Sequence, residues 1–241
     1  MSSRDAAAAP VGELKGHYEA YHSRHSLTEE AASELNKIQD RFIARVLKPE
    51  PGWRVLDVAC GKGRFLSRLE AEWGVRPFGV DLSETALVQA RGAGVGVAAA
   101  DAQRLPFPDS SFDAVTCLGS LEHFPDPAAG AREVSRVLKP DGKAIIYVPN
   151  LFFLGFVYLG LFHGDDPSEA DQQFSEEFHA RRGWEEILNA NGLKPVACVP
   201  YNEIGGTRKM GPLGLALYKF VIRPLLPTNL CYSFTFLCEK K

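Results

Sequence analysis

Between Arg54 and Pro149, short apolar runs alternate with stretches whose apolar positions recur every three to four residues. The runs are Arg54 to Ala59 (RVLDVA), Pro77 to Asp81 (PFGVD), a stretch near Val95 to Ala100, Phe112 to Leu118 (FDAVTCL), and Lys143 to Pro149 (KAIIYVP) after a Pro140-Asp141-Gly142 turn. Helical patterns lie between them: from about Arg64 to Trp73, onward from a Ser83 cap, and onward from Asp126-Pro127. Upstream, Ser26 with Glu29 forms a capping box, and Leu35, Ile38, Phe42 and Val46 mark the apolar face of a helix ending near Lys48-Pro49. Strands separated by helices imply βαβ units, and right-handed crossovers then give a parallel sheet with helices on both faces.

Past Asn150 the rhythm changes. A helix around Arg182 to Asn191 stops at Gly192, and a strand comes next near Pro195 to Tyr201. The chain ends in an alternating strand, Cys231 to Cys238. These two late strands are expected to pair antiparallel and close one sheet edge. The expected organisation is an N-terminal arm or lid over residues 1–25 and a single domain over 26–241, with segments 150–180 and 202–230 capping one end of the sheet. Ligands of open α/β sheets bind beyond the carboxyl ends of the strands, so those caps are the expected seat of substrate specificity.

Composition narrows the partners. The 241 residues carry 27 basic and 30 acidic side chains, a net charge of −3, with no long block of like charge. That balance lacks the basic footprint of phosphate-backbone binding, so nucleic acid is not an expected partner. Five cysteines (Cys60, Cys117, Cys198, Cys231, Cys238) include no CxxC pair and no zinc spacing, which points to a reducing, cytoplasmic setting. The N-terminal Ala run stops at Pro10, short of a signal peptide. The apolar run Leu151 to Phe162 has 12 residues, below the ~18 to 20 that span a bilayer. A soluble monomer or homodimer acting on a small molecule is expected, although that run could touch a membrane surface.

Chemistry concentrates at the strand ends. Val55 to Phe65 (VLDVACGKGRF) runs from a buried strand through a glycine turn into a helix, so the main chain of Ala59, Cys60 and Gly61 can approach a ligand closely. Glycine at a tight βα turn is common on structural grounds alone. Asp57, however, is an acid in an otherwise apolar strand, and burial there requires a hydrogen bond or a partner. Asp81 ends the next strand, where an acid accepts the hydroxyls of a ribose in nucleotide-binding sheets. Asp101 closes the third strand, placed to accept from an adenine amino group while the Ala102 amide meets a ring nitrogen.

Taken together, LDVACGKG, VDLS, DAQRLPFPDSSFDAV, CLGSLEHFPDP and EVSRVLKPDGKAIIYVPN resemble the class I S-adenosylmethionine-dependent methyltransferases, small-molecule type. The resemblance covers Val55 to Asn150 and implies a Rossmann-like seven-stranded sheet whose last strand is antiparallel. It implies S-adenosyl-L-methionine as cofactor, with Asp57 and the Ala59 to Gly61 backbone facing its methionine part and Asp81 its ribose. Leu82 would lie on one face of the adenine, Asp101 and Ala102 at its polar edge, and the Leu118 carbonyl at the methionine amino group. Ala59 departs from the family, many of whose members carry glycine there. Residues 175 to 192 also resemble the family's late helix. The implied reaction is transfer of a methyl group to an O, N or S atom of a small, largely apolar molecule by in-line displacement.

His123, in SLEHF just past the fourth strand, is the candidate general base, since an imidazole titrates near neutrality. A packing or hydrogen-bonding role without titration fits that position equally. Some similar proteins place a metal on an acid, acid, His set, but Gly119 stands where the first acid would be, so no metal is expected. Tyr18, Tyr21, His22 and His25 fall in the segment that folds over the sulfonium in similar enzymes, where aromatic faces favour a cation. A loosely packed arm is the alternative. A catalytically silent cofactor-binding module remains a competing reading. A nicotinamide-dependent oxidoreductase fits less well, because the third glycine of GxGxxG falls at Leu66 and no YxxxK pair occurs.

Overall fold

The computed structural model describes residues 11–24, 29–92, 94–153, 177–202, 220–221 and 223–241; the side chains of residues 11, 21–24 and 29–35 lie outside that description. Among the described residues one sheet of seven strands forms: β1 (Arg54–Val58), β2 (Arg76–Asp81), β3 (Gly96–Ala99), β4 (Phe112–Leu118), β5 (Leu138–Pro149), β6 (Leu193–Tyr201) and β7 (Ser233–Lys240). Their spatial order is β3-β2-β1-β4-β5-β7-β6. β1 to β5 pair in parallel, and β7 runs antiparallel to both β5 and β6. The expected Rossmann-like sheet with an antiparallel last strand is therefore present. Between β1 and β4 the order of winding reverses, which opens a crevice at the carboxyl ends of those strands.

Among the described residues the longer helices are α1 (Val11–Arg24), α2 (Glu29–Leu47), α3 (Arg64–Trp73), α4 (Glu84–Gly92), α5 (Pro127–Val137) and α6 (Arg181–Ala190). Strand side chains alternate between two cores. Leu56 and Val58 of β1 face a core shared with Val134 of α5 and Trp184 and Leu188 of α6. Val55 faces the other, with Ile43 and Leu47 of α2 and Leu66 and Leu69 of α3. Helix ends obey local chemistry. Asp126 caps α5 by accepting from the Ala129 amide, with Pro127 in its first turn, and Ser83 caps α4 by accepting from Ala86. Gly79 is required by close approach, because a Cβ there would lie 2.6 Å from Cys60 Sγ.

Three expectations need correction or fall away. The expected α2 face is offset from the deepest-buried one: its Phe42 and Val46 are half-buried against the core, but Ile38 is 45% exposed, while Ile43, Ala44 and Leu47 are fully buried. At about 100° per residue those three positions lie on the side away from Ile38. The fifth strand starts at Leu138 rather than after a Pro140-Asp141-Gly142 turn, because Leu138 already pairs with Phe112 and the register then shifts before Ala114 meets Lys143. The capping Ser26 and most of the segments 150–180 and 202–230 lie outside the described residues. No described helix is long and apolar enough to cross a membrane. All five cysteines are free, and Cys117, Cys231 and Cys238 are buried as small hydrophobes.

Trp184 anchors the α6 side. It is fully buried, and its indole Nε1–H donates to the Pro149 carbonyl at 3.1 Å. Trp184→Ala is expected to lower stability by roughly 3–5 kcal/mol. The expected drop in Tm is on the order of 10 °C by calorimetry; an unchanged Tm would place this side chain outside the core.

Candidate functional site

A cleft of about 190 Å³ opens at the carboxyl ends of β1, β2 and β4, where the winding reverses. The strand ends and the loops just past them line it: Ala59 and Gly61 after β1, Asp81 and Leu82 at the tip of β2, Ala100 to Gln103 after β3, and Gly119, Ser120 and His123 after β4. Leu14 and Tyr18 of α1 close one side, and Phe124 and Pro125 another.

Asp81 organises this end of the sheet. Its Oδ2 accepts the Gly61 N–H at 2.8 Å and its Oδ1 accepts the Ser83 N–H at 2.9 Å. The carboxylate thus joins the glycine turn after β1 to the start of α4. A carboxylate offers about four acceptor directions, so two remain for a ligand. Starting the helix and binding a ligand are therefore compatible roles for Asp81, even though Ser83 supplies a cap of its own.

The turn itself carries strain. Ala59 has φ 58° and Gly61 φ 51°, both in the left-handed region. An L-residue with a Cβ pays roughly 1–2 kcal/mol there, so Ala59 holds a conformation that glycine adopts without penalty. Cys60 turns its thiol away from the cleft toward Gly79 and Leu66, where burial pushes its pKa up. Its contribution to the turn is the backbone N–H, which donates to the Val80 carbonyl.

Asp57 lies beneath this turn rather than on the cleft wall. Strand alternation points it toward α2 and α3, and it is buried, with the Thr116 hydroxyl donating to Oδ1 at 2.5 Å. Burial raises its pKa to about 7; the Thr116 hydrogen bond opposes the rise, and the nearby charges of Asp40 and Asp81 add to it. Asp40 on α2 is itself buried and paired with Arg64 at 2.5 Å and Arg68 at 3.3 Å on α3. A charged network thus underlies the glycine turn on its α2/α3 side.

Asp101 accepts from both the backbone N–H and the side-chain amide of Gln103, at 2.8 and 3.2 Å, and the Gln103 Oε1 takes the Asp126 N–H. The loop beyond Gln103 is pinned from α5. Arg136 donates to the carbonyls of Leu105 and Phe107, while Glu133 accepts the Leu105 N–H at 2.7 Å. The same Arg136 guanidinium holds the Glu133 carboxyl below its usual range. Ala102 is buried on the cleft floor.

After β4, the Gly119 N–H donates to the Tyr147 carbonyl, and Gly119 takes φ 66°. The turn leads into a short 3-10 segment, Leu121–His123. His123 is buried at the cleft with Nε2 4.0 Å from Glu122 Oε1. The Leu118 carbonyl accepts the Ser120 hydroxyl at 3.4 Å, and Leu118 itself stands one residue behind the cleft wall.

Of the residues singled out from sequence, Ala59, Gly61, Asp81, Leu82, Asp101, Ala102, His123 and Tyr18 converge on the cleft. Asp57, Cys60 and Leu118 support it from behind. Tyr21 is on α1 with its side chain outside the described residues, as is that of His22, and His25 is outside them altogether. The sequence motifs do not single out Leu14, Gln103, Gly119, Ser120, Phe124 or Pro125 as binding residues. The small pair Gly119-Ser120 directly after a strand is the available signal for two of them.

Residues 56–146 match the methyltransferase domain family. The chain is 40% identical over 100 residues to a demethylmenaquinone methyltransferase of Corynebacterium kroppenstedtii, covering 42% of this chain and 43% of that protein. It is 34% identical over 150 residues to the 27-O-demethylrifamycin SV methyltransferase of Amycolatopsis mediterranei, covering 58% and 54%. The chain thus spans about half the length of the curated relatives it matches. The fold is shared with the geranyl diphosphate C-methyltransferase of Streptomyces coelicolor, solved with S-adenosyl-L-homocysteine, at a TM-score of 0.64 and 16% identity over 86% of this chain and 80% of that one. Residues 56–146, the segment matched to the methyltransferase domain family, carry the strand-end residues of the cleft from Ala59 to Pro125.

Proposed function

We propose that this chain transfers a methyl group from S-adenosyl-L-methionine to an oxygen of a small, largely apolar molecule. The observation that carries this reading is the convergence of Asp81, Asp101, the left-handed Ala59 to Gly61 turn and His123 on one cleft. The residues fit the cofactor's parts by chemistry. Two acceptor directions of Asp81 suit a pair of ribose hydroxyls, Asp101 and the Ala102 amide suit the polar edge of an adenine, and Leu82 suits its face. The closely approachable turn suits the methionine end. When bound, the cofactor supplies an electrophilic methyl on a cationic sulfur.

The chain's own part is to orient, to exclude water and to accept a proton. Leu14, Tyr18, Phe124 and Pro125 give the cleft an apolar side. A dry wall of that kind favours positioning of an apolar acceptor. Support for the acceptor class comes from relatives whose names specify demethylmenaquinone and 27-O-demethylrifamycin SV. Among O, N and S acceptors, oxygen is the one a buried histidine serves best, because a hydroxyl must lose its proton as the new bond forms. His123 accepts that proton through its imidazole.

Asp57 has a different task, and its burial makes the fold sensitive to pH. Protonated in the folded chain up to about 7 and in the unfolded chain only to about 4, it favours the folded state at low pH. That contribution is lost as pH rises between those values. A positively charged ligand group near the turn would draw Asp57 toward its ionised form, so the acid is held for the ligand rather than for stability.

Four measurements test this reading. S-adenosylmethionine at a hundred times its Kd should stabilise the protein by ~2.7 kcal/mol while NAD gives no shift in Tm, and Asp81→Asn should raise the cofactor Kd by roughly tenfold or more in calorimetry; a larger Tm shift with NAD would reverse the assignment. Asp57→Asn should be more stable than the parent at pH 8, with the gap closing toward pH 5 in denaturant titrations, and parallel profiles would remove Asp57 as their source. His123→Ala should lower kcat by on the order of a hundredfold with cofactor Kd unchanged, and unaltered turnover would take His123 out of the chemistry.

A further inference from the structure

The helix that walls the cleft is tied down by a side chain that does not line it. Glu19 comes directly after Tyr18 on α1, so when Leu14 and Tyr18 face the cleft it projects to a neighbouring face of the helix. Its Oε1 accepts the Glu84 N–H at 2.6 Å, and its Oε2 accepts the Thr85 N–H and the Ser83 hydroxyl, each at 3.2 Å. Those amides belong to the first turn of α4, where backbone N–H groups have no partner within the helix and the dipole favours negative charge. Hydrogen bonds from the Thr85 side chain and from the Thr85 and Glu84 amides hold the Glu19 carboxyl below its usual range.

Ser83 caps α4 in its own right through Ala86, so Glu19 completes the cap from a different helix. The same Ser83 donates its N–H to Asp81, and Asp81 takes the Gly61 N–H. One hydrogen-bonded chain therefore runs from α1 through the start of α4 and the tip of β2 to the glycine turn. We propose that Glu19 is a positioning residue for the methyl-transfer site. By clasping the N-terminus of α4 it seats α1 across the cleft, sets Leu14 and Tyr18 as its wall, and couples that wall to the carboxylate assigned to the ribose. This rests on the proposed function for what the cleft holds, whereas the clasp itself does not depend on it.

The experiment compares Glu19→Ala and Glu19→Gln with Glu13→Ala, an exposed acid on the same helix. Hydrogen exchange of the α1 amides is read on ligand-free protein, and the dissociation rate of S-adenosylhomocysteine is read by stopped flow. Loss of charge-assisted bonds to α4 should speed α1 exchange about tenfold in Glu19→Ala and raise the dissociation rate by a similar factor. Glu19→Gln, which keeps one acceptor oxygen, should recover part of both, and Glu13→Ala should match the parent. Exchange in Glu19→Ala no faster than in Glu13→Ala overturns the clasp. Faster exchange with an unchanged dissociation rate overturns its coupling to the site. A parent protein that binds no S-adenosylhomocysteine counts against the proposed function alone, because the exchange comparison still decides whether Glu19 seats α1.

Discussion

The strand-end region is organised around one carboxylate accepting two backbone amides. Asp81 joins the Gly61 N–H to the Ser83 N–H, and these belong to the turn after β1 and to the entry into α4. Hydrogen bonds to a charged group contribute about 1.5–3 kcal/mol each, enough to hold the two loops together. The geometry of the cleft depends on that bridge. With the turn held close to β2, the thiol of Cys60 packs into the space that only glycine at position 79 leaves open. With the first turn of α4 held at the tip of β2, its remaining amides face α1.

The same neighbourhood is where the chain gives up stability. Asp57 is a buried acid whose ionisation is opposed by desolvation, and Ala59 occupies a left-handed backbone conformation. Both stand within a few residues of Gly61, while the rest of β1 is ordinary apolar strand. Local rules broken at one place and obeyed elsewhere are the usual mark of a site shaped for a ligand. The compensating packing is close at hand: Leu56 and Val58 alternate with Asp57 into a core that extends to Trp184, and Val55 into the core beneath α2 and α3.

Much of the architecture is legible in the sequence because the signals are local and strong. The strand at Phe112 to Leu118 and the helix at Arg64 to Trp73 match the periodicity residue for residue. Acids at successive strand tips are legible because polar groups interrupting apolar runs need an explanation. Features that escape such reading depend on tertiary partners. The deepest-buried face of α2 carries Asp40, paired with Arg64 and Arg68 of α3, so it is offset from the stripe that Phe42 and Val46 mark. The early start of β5 comes from a pairing with Phe112 that passes over Pro140 and Gly142. Glu19 cannot be read at all, since a helix cap supplied from 65 residues away leaves no mark in spacing.

The position of β7 bears on the order in which the sheet can assemble. β6 pairs with β7 from Leu193↔Lys240 to Tyr201↔Ser233, and β7 in turn pairs with β5 from Lys143↔Glu239 to Pro149↔Ser233. β6 is therefore synthesised before β7, the strand that connects it to the sheet. Its backbone groups must wait in water, or against α6, until β7 slides in like a keystone between two flanks. Pairings so distant along the chain are entropically slow to nucleate. The parallel half that carries the cleft can thus be in place while the opposite margin is still open.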